Sequence, residues 1–124
     1  MITEDYVSFE VAKLLKEKGF DVPCIGVYSV RSKEFHLDCT RRCNNGGLFE
    51  YAAPSLATAR KWLREEYYIY ADPIKQGNYN DCSEYYTWIV ARMGIIHRNS
   101  TVADKLSYEE ACEAALKYSL ENLI

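Results

Sequence analysis

The chain has 124 residues, 48% of them apolar and 14% aromatic, with fifteen Lys and Arg against eighteen Asp and Glu. That is one domain's length with a globular composition and a net charge of -3, which excludes a disordered tail and disfavours coating of duplex nucleic acid through bulk charge. Residues 51–59, a stretch without a charged residue that no other exceeds in length, are too few to span a bilayer and contain Pro54. The acidic first ten residues hold no apolar core of a secretory signal. The expectation is a single cytoplasmic domain over residues 1–124 with no membrane partner.

Residues 8–18 carry the first helical pattern. Val7, Val11, Leu14, Leu15 and Lys18 share one face, while Lys13, Lys16 and Glu17 turn outward. Ser8 is a natural N-cap; Thr3 followed by Glu4 and Asp5 is an alternative start one turn earlier. Gly19 is the stop signal, Phe20 folds back on Leu15 or Leu14, and Pro23 bars continuation. Residues 24–30 and 34–38 are β-rich runs joined by Arg31, Ser32 and Lys33, which reads as a hairpin lacking glycine. Residues 40–47 form a loop whose strongest turn signal is Asn44-Asn45-Gly46-Gly47.

Pro54 and Ser55 open a second helix over residues 56–67. Its inner stripe is Leu56, Ala59, Leu63 and Tyr67, with Trp62 half-buried beside it and Arg60, Lys61, Arg64, Glu65 and Glu66 in solvent. Residues 68–71 and 85–92 are strands rich in aromatic and β-branched side chains. Pro73, Gly77, Asn78 and Asn80 make residues 72–82 a long connection, and Ile95-Ile96 extend the later strand past a bulge at Gly94. Ser107 and Glu110 form a capping box for a third helix over residues 107–122. Tyr108, Ala111, Cys112, Ala115, Ser119 and Leu123 line its inner face, and Glu113 falls outside. The pattern predicts an α+β domain, order αββαββα, with an antiparallel or mixed four-stranded sheet packed with three helices.

These helical segments also resemble a known group. Residues 8–20 (SFEVAKLLKEKGF), Ala52-Ala53-Pro54 with residues 61–66 (KWLREE), and residues 107–118 (SYEEACEAALKY) followed by Leu120-Glu121-Asn122-Leu123-Ile124 are similar to a family of small uncharacterised proteins of Bacteroides-type bacteria. Members are often encoded in phage-like or mobile regions. The resemblance covers much of the helices, about a third of the chain, and implies a cytoplasmic accessory protein acting on a partner. It transfers no catalytic residue, cofactor or substrate.

The cysteines number five (Cys24, Cys39, Cys43, Cys82, Cys112), an odd count that predicts reduced thiols rather than a disulfide framework. Cys112 falls on an apolar helix face, where a thiol packs as a small hydrophobe. His36, Cys39 and Cys43 are the metal candidates, with Cys24 as a fourth ligand, but the spacing lacks the paired knuckles of structural zinc sites. Neither a metal nor a cofactor is expected. His36 and His97 are the only histidines and neither lies in a nucleophile motif, although His36 and Cys39 would make a thiolate–imidazole pair if the loop brought them together. Glu65-Glu66 and Glu109-Glu110 are helical neighbours whose side chains diverge. Catalysis is therefore not expected.

Binding remains. Tyr67, Tyr68, Tyr70, Tyr85 and Tyr86, flanked by Arg92, His97 and Arg98, are the residue types that stack single-stranded bases. Tyr86, Trp88 and Val90 alternate with Tyr85, Thr87 and Ile89, so both faces of that strand are apolar. Three short helices on one face cannot cover both; the remainder lies under loops, in a homodimer or on a partner. Protein binding through Tyr68, Tyr70, Tyr86 and Trp88 is the leading expectation, and single-stranded nucleic acid the second.

Overall fold

Each of the three helices among the described residues begins on a serine. In the computed structural model, which describes residues 5–76, 85–100 and 106–124, the Ser8, Ser55 and Ser107 hydroxyls accept from the backbone N–H of Val11, Thr58 and Glu110. Each hydroxyl thereby satisfies an N–H that the first helical turn leaves without a partner. The helices that follow are α1 (Phe9–Glu17), α2 (Leu56–Tyr67) and α3 (Tyr108–Asn122). Helix α1 ends as its sequence predicts: Gly19 takes φ 90°, and the Gly19 and Phe20 N–H groups donate to the Lys16 and Leu15 carbonyls. That pair of bonds is a Schellman motif and turns Phe20 into the core.

The α+β class holds, but the single four-stranded sheet does not. Among the described residues six strands, β1 (Gly26–Ser29), β2 (Phe35–Leu37), β3 (Glu50–Ala52), β4 (Ile69–Gln76), β5 (Tyr85–Arg92) and β6 (Ile95–Asn99), form two antiparallel sheets ordered β2-β1-β3 and β4-β5-β6. Two strands account for the difference. β3 has three residues, too few to display alternation, and exists because Tyr51 lies opposite Tyr28 and Ala52 opposite Val27. β6 is a separate strand because Met93 and Gly94 both take positive φ, 52° and 82°, as a two-residue type I′ hairpin turn requires. The bulge expected at Gly94 lies in β6 instead, where His97 has no opposite in β5 between the Ala91–Ile96 and Val90–Arg98 pairs. β4 runs on through Pro73 to Gln76, since an edge strand can turn the missing N–H of a proline away from its neighbour.

A common core joins the layers. Leu15 and Phe20 with α1, Leu63 from α2, Leu116 and Leu120 from α3, Ala52 from the first sheet and Ile69, Trp88 and Val90 from the second belong to one buried cluster. α3 lies across β4 and β5, α2 packs on β4, and α1 bridges β3 and α3. Fully buried Ala111 and Ala115 keep α3 close to the sheet.

Two side chains assigned to solvent by helical periodicity are drawn inward. Arg60 donates to the Ala71 carbonyl (3.0 Å), the Asp72 carboxylate (2.7 Å) and the Tyr108 hydroxyl (3.1 Å), tying α2 to β4 and α3. Glu113 accepts from the Ser8 backbone N–H (2.7 Å) and the Ser8 hydroxyl (2.8 Å). It thus supports the cap of a helix 105 residues away in sequence. Trp62, expected half-buried, is a core residue packed edge-on against Phe20 and Tyr67. No described helix is long and apolar enough to cross a membrane.

Candidate functional site

In the second sheet, residues directly opposite share a face. Ile69, Ala71, Trp88 and Val90 point at the helices, so Tyr70, Ile74, Ile89, Ala91 and Ile96 point away from them. Tyr118 and Tyr108 of α3 pack on Trp88 and Tyr86, on the first face; on the second, Arg60 of α2 reaches the edge residue Asp72 and Thr87 is buried, while the Tyr70 end lies open. Tyr70, Ala91 and Ile96 form one cross-strand row, in which Tyr70 keeps 50% of its surface and Ile96 59%. Ile89 stands in the next row, half-buried. Tyr68, Met93 and Ile95 add exposed apolar surface at the same end of the sheet. β6 is exposed along its whole length.

The four predicted partner residues separate in the fold. Trp88 is only 9% exposed and stacks against Tyr118, and Tyr86 is half-buried with its ring edge-on to Tyr108. Both therefore serve the α3 contact. Tyr68 is the left-handed C-cap of α2 (φ 59°) and, like Tyr70, remains exposed. The missed members of this surface are Ile74, Ile89 and Ile96. The alternation of residues 85–92 already pointed to Ile89, whereas Ile74 and Ile96 needed the lengths of β4 and β6. Of the basic residues beside the tyrosines, Arg92 turns inward to the Leu123 carbonyl (3.5 Å), and His97 and Arg98 stay on exposed β6.

A second exposed apolar feature is the β2–β3 loop, where Leu48 and Phe49 each keep 82% of their surface. Its base is well tied. Asn45, at φ 66°, donates to the Phe20 carbonyl (2.8 Å) and accepts from the Ala52 N–H (2.7 Å), imitating a strand partner on both sides. Lys16 donates to the Gly47 carbonyl and Arg41 pairs with Glu50. The Thr40 hydroxyl and N–H hold the Asp38 carboxyl below its ordinary range, with Arg41 adding to the effect.

The metal candidates are not gathered. His36 sits on edge strand β2, Cys39 is exposed in the following turn and Cys43 is half-buried further along. Among the described residues no three His, Cys, Asp or Glu side chains come close enough to hold a metal ion. The fold instead pairs Cys43 with Cys24: each donates its N–H to the other's carbonyl, at 2.7 and 2.8 Å. Burial pushes the Cys24 thiol up to about 11, and neighbouring Cys43 adds to the rise. Cys112 is buried at the Arg60 cluster, where burial also raises its thiol. Cys82 lies outside the described residues. No family model, curated protein or solved structure matches the chain.

Proposed function

We propose that the chain is a non-enzymatic binding protein that docks another protein on the outer face of the β4-β5-β6 sheet. The observation that supports this reading is the uncovered row Tyr70–Ala91–Ile96 with Ile89 and Ile74 beside it. Exposed Ile96, in register with Ala91 and Tyr70 and flanked by half-buried Ile89, gives hydrophobic burial on docking at little entropic cost, and Tyr70 adds an aromatic anchor with a polar tip. A cytoplasmic accessory role on a partner, as the resemblance of its helices implies, fits such a surface. The stacking alternative has less support, because Trp88 and Tyr86 are spent on the core and Arg92 faces inward.

Affinity capture from the native host with wild type, Ile96→Asp and Leu48→Asp tests the reading. The expected outcome is a stoichiometric protein partner kept by Leu48→Asp and lost by Ile96→Asp, with both variants retaining the wild-type circular dichroism spectrum. Equal capture by all three removes the sheet face as the docking surface. A salt-sensitive oligonucleotide complex that survives Ile96→Asp favours nucleic acid instead. Concentration-dependent sedimentation of wild type, abolished by Ile96→Asp, identifies a second copy as the partner.

A further inference from the structure

We propose that Cys24 and Cys43 are a redox-responsive pair, which an external low-molecular-weight disulfide converts into an intramolecular disulfide. The inference rests on position and is independent of the docking reading. The two residues are directly opposite in an antiparallel bridge and exchange both backbone hydrogen bonds. That geometry places Cα atoms about 5.5 Å apart, inside the range that disulfides span. The residues on either side of each cysteine belong to irregular segments, so the bridge is an isolated pairing free of a surrounding ladder. The Cβ atoms of such a hydrogen-bonded pair stand about 5.5 Å apart, about 1 Å beyond a disulfide's span, and a change of local twist at an isolated bridge closes that gap.

Access is asymmetric. Cys24 is 7% exposed and its thiol donates to the Val22 carbonyl (3.2 Å), whereas Cys43 lines an open hollow of about 230 Å³ with Arg41, Arg42, Gly46 and Phe49. Glu50 also lines the hollow but is paired with Arg41, which leaves Arg42 as the net positive charge there, suited to an anionic oxidant such as oxidised glutathione. The Cys43 thiolate attacks one sulfur of the oxidant; a Cys43–glutathione disulfide forms and one glutathione thiolate leaves. The Cys24 thiol then loses its proton to solvent and attacks the Cys43 sulfur, expelling the second glutathione. Two protein thiols are oxidised and one small disulfide is reduced to two thiols. The second step needs the buried Cys24 thiolate, so it quickens as pH rises. The product ties the β2–β3 loop, with its exposed Leu48 and Phe49, to the segment ahead of β1.

Incubation of the native protein with oxidised glutathione, followed by thiol counting and peptide mapping, tests this. The expected result is a fall from five free thiols to three in wild type and from four to two in Cys39→Ser, with Cys24 linked to Cys43 in both and full reversal by dithiothreitol. Retention of all thiols overturns the proposal. So does linkage of Cys43 to Cys39 or Cys82, or a lasting Cys43–glutathione adduct beside an alkylatable Cys24.

Discussion

Replacing Glu113 with alanine should destabilise the domain, contrary to what its outward place in the helical period implies. The carboxylate accepts two hydrogen bonds from Ser8, and the Ser8 hydroxyl in turn accepts from the Val11 N–H (3.3 Å). Removal of the carboxylate leaves the part-buried Ser8 N–H without its acceptor, a loss of about 1–3 kcal/mol, while burial offsets the charge-assisted share of the two bonds, so Glu113→Ala should cost about 1–2 kcal/mol at pH 7. Glu113→Gln keeps a carbonyl for the Ser8 N–H and lets the hydroxyl turn to accept, so its cost should be about 0.5–1.5 kcal/mol. The pH dependence has a definite sign. Burial raises the Glu113 carboxyl above its ordinary value of about 4.5; the Ser8 bonds pull it down, Glu10 pushes it up and Lys117 pulls it down, with a net rise. A raised folded-state value means that the native state holds the proton more tightly than the unfolded chain. The associated stabilisation is complete below 4.5 and is lost as pH rises through the folded-state value. Wild type should therefore gain on Glu113→Gln as pH falls from 7 toward 4.5. Urea titrations of the three proteins at several pH values read this directly. A Glu113→Ala variant within about 0.5 kcal/mol of wild type at pH 7 would refute the Ser8–Glu113 linkage, since that is ordinary surface behaviour.

Gly26→Ala should cost about 1–3 kcal/mol in a thermal melt, because the new Cβ would stand 2.5 Å from the Ala53 carbonyl oxygen; an unchanged midpoint would place that backbone elsewhere. Ala115→Leu should cost about 1–3 kcal/mol by overpacking α3 against the second sheet, and a neutral result in urea would show that the face is not closely packed. Met93→Asn should stabilise by about 1 kcal/mol, since Met93 holds a left-handed backbone while 78% exposed and asparagine tolerates that conformation better. A loss of stability in its denaturant midpoint would argue against the type I′ turn.

Local physics made the helices legible. Ser8, Ser55 and Ser107 cap helices where the apolar period starts, and Gly19 ends the first, because a cap or a left-handed stop is settled within four or five residues. The β1–β2 hairpin was legible for the same reason, although Lys33 rather than a glycine supplies its positive φ of 61°. Strand β3 and the division into two sheets were not, since a three-residue strand has no periodicity of its own and is defined by the neighbour that bonds it. The surface followed the same rule. Alternation along residues 85–92 marked both faces as apolar, but which ring went inward depended on where α3 lay, and that sent Trp88 and Tyr86 to the core and left Tyr70 and Ile96 outside. Arg60 and Glu113 look solvated along their own helices and become interior linkers only when β4 and the α1 N-terminus arrive. The pairing of Cys24 with Cys43 likewise comes from a bridge between distant segments. Sequence alone determined the elements whose hydrogen bonds close locally; tertiary structure decided the sheet partition, the exposed face and the cysteine pair, because those depend on contacts between residues far apart in the chain.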